Sequence, residues 1–120
     1  MSPITIRRSY ADTPEGQIHY AEAGQGKPVL LLHQTPRSWD EYRDVLPLLG
    51  KKYRTLAMDT IGFGDSYRLK GEASIEILAR GVIQLMDALS IRQASIVGHH
   101  TGGVVAVEVA AAYPHRVDKL

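Results

Sequence analysis

Three short apolar runs, at residues 29–32, 53–58 and 94–97, are separated by stretches in which apolar residues recur at three- and four-residue steps. A strand that is apolar at successive positions must be covered on both faces, the situation of a parallel sheet with helices above and below it. The alternation therefore predicts an α/β domain. Ser38 with Glu41 three residues on has the form of a capping box, and Tyr42, Val45, Leu46 and Leu49 continue at helical spacing to Gly50, predicting a helix over about 38–49. Ser74 heads a second helix whose stripe is Ile75, Leu78, Val82, Leu85, Met86 and Leu89, and residues 104–113 form a third, stopped near Pro114. Ile4 and Ile6 alternate against Ile18 and Tyr20 around Thr13-Pro14-Glu15-Gly16, which reads as an antiparallel hairpin at the sheet edge. No linker, repeat or low-complexity segment divides residues 1–120, so one domain is expected.

Charge narrows the range of partners. The 14 Lys and Arg against 13 Asp and Glu leave a formal charge of +1, without the clustered positive excess that nucleic acid or an anionic membrane requires. The longest nearly apolar stretch, 104–113, is interrupted by Glu108 and falls short of the roughly 20 residues that span a bilayer. With no cysteine there is no disulfide framework and no thiolate chemistry, and the first ten residues hold no long apolar run. A cytoplasmic protein acting on a small neutral molecule is the expectation.

In an open parallel sheet, chemistry collects beyond the carboxyl ends of the strands. Three segments stand there: His33-Gln34-Thr35-Pro36, the turn from Asp59 to Ser66, and Gly98-His99-His100-Thr101-Gly102-Gly103. Gly24-Gln25-Gly26-Lys27 and Gly62-Phe63-Gly64 both lack the further glycine or hydroxyl of a phosphate-binding loop. Small residues at 98, 102 and 103 allow a sharp strand-to-helix bend that holds residue 100 up at the helix start, with the N–H of Thr101 aimed where an oxyanion would form. The alternative is a glycine-rich loop that merely packs.

These segments, in this order behind an N-terminal hairpin, resemble the α/β-hydrolase family over nearly the whole chain, in the branch of epoxide hydrolases, haloalkane dehalogenases and small-ester hydrolases. The resemblance implies the family's first five strands, with the third between the fourth and fifth. It places His100 at the nucleophile position and the backbone N–H groups of Thr35 and Thr101 in an oxyanion hole. Gln34, where the family usually has Gly, is read with Trp39 and His33 as the substrate-contacting set, although each also has a packing role open to it. The family's nucleophile is Ser, Asp or Cys, so a histidine at 100 changes the chemistry.

Three activities are compatible with these residues. One is hydrolysis of a small ester-like substrate without a cofactor, with His100 as nucleophile or as base toward water. Another is a non-catalytic protein that binds a small apolar ligand. The third is a metal site assembled from His33, Asp59 and the His99-His100 pair. His99 is expected beneath the elbow formed by the sharp bend at residues 98–103, His19 and His115 in solvent, and Asp59 as the organiser of its glycine turn by accepting backbone N–H groups. The resemblance further implies that the lid, the later strands and the acid and histidine partners lie beyond Leu120. The chain would then be an incomplete hydrolase domain, with the 94–97 strand an uncovered edge open to self-association.

Overall fold

The apolar runs become three adjacent strands of a mixed five-stranded sheet in the computed structural model, which describes residues 4–120. Strands β1 (Arg7–Thr13), β2 (Gly16–Ala23), β3 (Pro28–Leu32), β4 (Arg54–Met58) and β5 (Ser95–Gly98) lie in the order β1-β2-β4-β3-β5. β3 runs parallel to both β4 and β5, whereas β2 is antiparallel to β4 and to β1. The third strand thus sits between the fourth and fifth, as the resemblance implied.

Side chains of a strand alternate between faces, and both faces here are apolar. Leu30, Leu32, Leu56, Met58 and Ile96 meet helices α2 (Ile75–Ala88) and α3 (Thr101–Ala112) in one core cluster. Val29, Leu31 and Ala57 point the other way, onto Trp39, Tyr42 and Leu46. Each fully buried Leu or Ile contributes about 1.5–3 kcal/mol, so the two-sided cover is what holds the central strands in place. Ser74 caps α2 as expected, its Oγ accepting the Ile77 N–H at 3.2 Å.

Four expectations are corrected. The hairpin forms, pairing Ala11 with Ile18, but β1 starts at Arg7, so Ile4 and Ile6 precede it and pack on the second cluster. β2 is flanked by β1 and β4, so it is no edge strand; His19 is 2% exposed instead of facing solvent. The helix over 38–49 is two pieces, a 3-10 turn Trp39–Tyr42 and a short α1 (Val45–Leu49). Pro47 has no N–H to donate into a continuous helix and is tolerated only in the first turn of a new one. Nor does the capping box close: Ser38 Oγ donates to Asp40 Oδ1 at 2.9 Å, and Glu41 is engaged elsewhere.

β5 is an edge strand, but its first half is partly covered. Ala94 bridges Val117 in parallel, the Asp118 N–H donates to the Ala94 carbonyl at 2.9 Å, and the Ile96 N–H donates to the Lys119 carbonyl at 2.8 Å. Val97 stays 47% exposed. Among the described residues no helix is long and apolar enough to cross a membrane.

Candidate functional site

β3, β4 and β5 all end at one rim of the sheet, and the site is built from the three loops that leave their carboxyl ends. At β5 the backbone is drawn tight: a Cβ on Gly98 would run into the Gly102 carbonyl, and one on Gly102 into the carbonyl of Leu32. Only glycines let the strand end, the helix start and the neighbouring strand touch backbone to backbone. The bend falls on His100, at φ 58° and ψ −117°, a region that non-glycine residues rarely occupy and that costs about 1–3 kcal/mol. Its side chain is exposed. His100 contributes its carbonyl to Gly103 and Val104, starting α3, and the Thr101 N–H has no acceptor among the described residues. That free donor at a helix N-terminus is what an oxyanion would find.

The second expected donor is occupied. Thr35 N–H donates to Thr101 Oγ1 at 2.7 Å, and the two hydroxyls lie 3.1 Å apart. The threonines after β3 and β5 are therefore joined, with the Thr101 hydroxyl taking up the Thr35 amide. Gln34, half-buried, has its backbone committed as well: its N–H goes to Glu41 Oε1 at 3.0 Å and its carbonyl accepts from Arg37 N–H and lies 2.7 Å from His33 Nδ1. Its side-chain amide is the part left for a ligand.

His33 is 1% exposed, and its Nε2 accepts the Thr60 N–H at 3.0 Å. Nδ1 must then carry the hydrogen and donate to the Gln34 carbonyl, leaving no ring nitrogen for substrate or metal. Trp39 is 4% exposed, with the guanidinium of Arg43 4.4 Å from its ring centroid and that of Arg8 at 5.2 Å. Both residues act from behind the site, fixing its loops.

Asp59 organises the neighbouring turn as expected. Its carboxylate accepts the N–H of Trp39 at 2.8 Å and of Asp65 at 2.9 Å, and lies 2.9 Å from His19 Nδ1. Ser66 Oγ donates to the Asp59 carbonyl and accepts the His19 N–H. The structure does not bring His33, Asp59 and the His99-His100 pair together as metal ligands. The donor atoms that do gather within 4.8 Å belong to His19, Asp59 and Asp65. Arg8 already donates to His19 Nε2 at 3.2 Å and reaches Asp65 at 3.4 Å, so a guanidinium serves as the cation there.

His99 corrects another expectation. It does not pack under the elbow: its side chain is 57% exposed, and its Nδ1 lies 2.8 Å from Oε2 of Glu41, whose own side chain is 12% exposed. Glu41 therefore links the 3-10 turn, the loop after β3 and the elbow. The sequence pattern assigns Glu41 to the cap, and the spacing from Ser38 carries no signal of this second use. Beside it Tyr42 donates its hydroxyl to the Leu32 carbonyl at 2.8 Å; burial, and then the negative charge of Glu41, push its pKa up to about 12.

A mixed sheet with helices on both faces and a strained strand-to-helix bend presenting one side chain defines an α/β hydrolase-type scaffold. The family model described as the alpha/beta hydrolase fold matches residues 27–120, and the chain belongs to that family. It is 36% identical over 119 residues to bifunctional epoxide hydrolase 2 of Sus scrofa, an alignment covering 96% of this chain and 21% of that protein. It is 37% identical over 117 residues to 2-hydroxy-6-oxo-6-phenylhexa-2,4-dienoate hydrolase of Comamonas testosteroni, covering 93% of this chain and 41% of that one. The solved structure of the epoxide hydrolase CorEH without ligand superposes with a TM-score of 0.90 at 32% identity, covering 95% of this chain and 40% of the other. The chain thus spans between about a fifth and two fifths of the length of these relatives.

Proposed function

We propose that this chain carries the nucleophile half of a hydrolase for small, neutral, ester-like substrates, with His100 as the attacking imidazole. The observation behind this reading is the strained backbone at His100 beside the unpaired Thr101 N–H. Strain of this kind is kept where the surroundings enforce it, and here it lifts an imidazole off the sheet rim next to an oxyanion donor. A neutral imidazole carries a lone pair on one of its ring nitrogens, and that nitrogen is the attacking atom.

A ring nitrogen of His100 adds to the carbonyl carbon, and the oxyanion rests on the Thr101 N–H and on the Thr101 hydroxyl polarised by Thr35. The carbon–oxygen bond then breaks, the alkoxide takes the proton that the acylated ring gives up from its other nitrogen, and water cleaves the acyl-imidazole to return the ring and release the acid. An imidazole suits acyl transfer better than epoxide opening. Opening an epoxide would leave an alkyl C–N bond that water does not cleave, whereas an acyl-imidazole hydrolyses readily.

On this reading the 120 residues are the first part of a longer cytoplasmic hydrolase domain, Gln34 touches the substrate through its side-chain amide, and the open half of β5 is a surface for self-association. His100→Ala is expected to abolish turnover of p-nitrophenyl esters, followed at the nitrophenolate absorbance; an unchanged rate overturns the proposal. A second reading, a non-catalytic binder of small apolar ligands, is favoured by the occupied Thr35 N–H. It would show as ligand-dependent protection against heat with no turnover.

A further inference from the structure

The elbow presents two imidazoles, and the proposed hydrolysis uses only one; among the described residues the water-dependent step has as yet no base assigned to it. His99 has the surroundings of one. Its Nδ1 lies 2.8 Å from Glu41 Oε2, and the other oxygen of that carboxylate accepts the Gln34 N–H at 3.0 Å. A carboxylate already accepting one N–H and presenting its second oxygen to an imidazole nitrogen places the ring hydrogen on Nδ1. The lone pair is then on Nε2. The carboxylate is largely shielded, whereas the ring it orients is open to solvent. The ring centroids of His99 and His100 are 6.4 Å apart, so the two imidazoles stand side by side at one bend. Among the described residues, the charged or titratable groups facing His99 are Glu41 from the 3-10 turn and His100 from the elbow itself.

We infer that Glu41 and His99 form an acid-oriented base that serves His100. Resting on the His100 reading, the inference assigns the deacylation step. His99 Nε2 takes a proton from water as its oxygen bonds to the acyl carbon. The carbon–nitrogen bond to His100 breaks, the His100 ring keeps the electron pair and takes the proton that His99 carried, and the acid formed leaves as carboxylate with its own proton lost to solvent. Glu41 touches no reacting atom; it is a positioning residue that sets the tautomer of His99.

The experiment uses the 120-residue chain with diethyl pyrocarbonate and p-nitrophenyl acetate as acyl donors. Mass spectrometry places the acyl group, and its rate of loss from His100 is followed in the wild type, His99→Gln and Glu41→Gln. His99→Gln is expected to slow loss of the acyl group about 100-fold while leaving its arrival within a few-fold. Glu41→Gln should slow it by about tenfold or more. ¹⁵N spectra of the histidine rings should show His99 in the Nδ1–H form in the wild type and in a mixture in Glu41→Gln, a change that a purely structural contact would not produce. Acylation at His100 with equal loss rates in wild type and His99→Gln overturns the inference but leaves the His100 reading standing. No acyl group at His100 in any protein overturns the His100 reading itself, and the base role with it. A wild-type His99 in the Nε2–H form also overturns the dyad, whatever the rates.

Discussion

At the scale of single residues, the site turns on which hydrogen-bonding groups are already spent. His33 uses both ring nitrogens to tie the loop after β3 to the turn after β4, and Thr35 gives its N–H to a neighbouring side chain. Thr101 keeps a backbone N–H with no acceptor among the described residues, and a hydroxyl that accepts from Thr35. Because that hydroxyl accepts a hydrogen bond, its own O–H is the better donor. Thr101→Val keeps shape and backbone but removes the O–H, so kcat for ester hydrolysis should fall about 100-fold with little change in KM, while Thr101→Ser stays within a few-fold. If the valine variant were as fast as the wild type, the oxyanion would rest on backbone N–H groups, that of Thr101 together with the Thr35 N–H that the substitution releases.

Among the elements, the 3-10 turn at Trp39–Tyr42 holds the site rim to β3. Trp39 donates its N–H to Asp59, Glu41 reaches the elbow, and Tyr42 donates its hydroxyl to the last carbonyl of β3. The Tyr42 pKa, about 12 in the fold, is above the ordinary value of 10.0, so the unfolded chain ionises first as pH rises. The stability held by the neutral hydroxyl is therefore complete below about pH 10 and is lost progressively toward pH 12. Denaturant midpoints measured across that range should fall with pH in the wild type and fall less steeply in Tyr42→Phe; parallel curves would remove Tyr42 as the cause. Strands, helix α2 and the tight bend between β5 and α3 were legible in the sequence because apolar period, a serine cap and paired glycines are local signals. The broken first helix was legible too, through Pro47, yet the regular spacing of Leu46 and Leu49 outweighed it. His19 and Glu41 were not legible. Their roles depend on β2 lying inside the sheet and on a turn folding across to the elbow, both long-range facts that no local pattern carries.

Over the whole molecule the two sheet edges differ. β1 closes one side with Arg7, Arg8 and Asp12 exposed, and charges of this kind discourage strand-to-strand pairing. On the other side β5 is partly sheltered by the backbone of residues 117–119, but Val97 remains about half exposed. On α3, a helix apolar nearly all round, Val104 and Val107 are more than half exposed. A helix apolar on every side belongs in an interior, and an apolar edge strand beside it invites a covering partner. In a solution of this chain alone, the available partner is a second copy. Sedimentation velocity should then show association that rises with concentration. Replacing one buried Val by a charged residue forfeits at least the roughly 1.5 kcal/mol of its burial, equivalent to about tenfold in Kd. Val97→Lys should therefore weaken association by about tenfold or more while leaving the thermal midpoint close to that of the wild type, since Val97 supports neither core cluster. A chain that sediments as a monomer at every concentration, with or without the lysine, would show that the backbone of residues 117–119 suffices to close the edge.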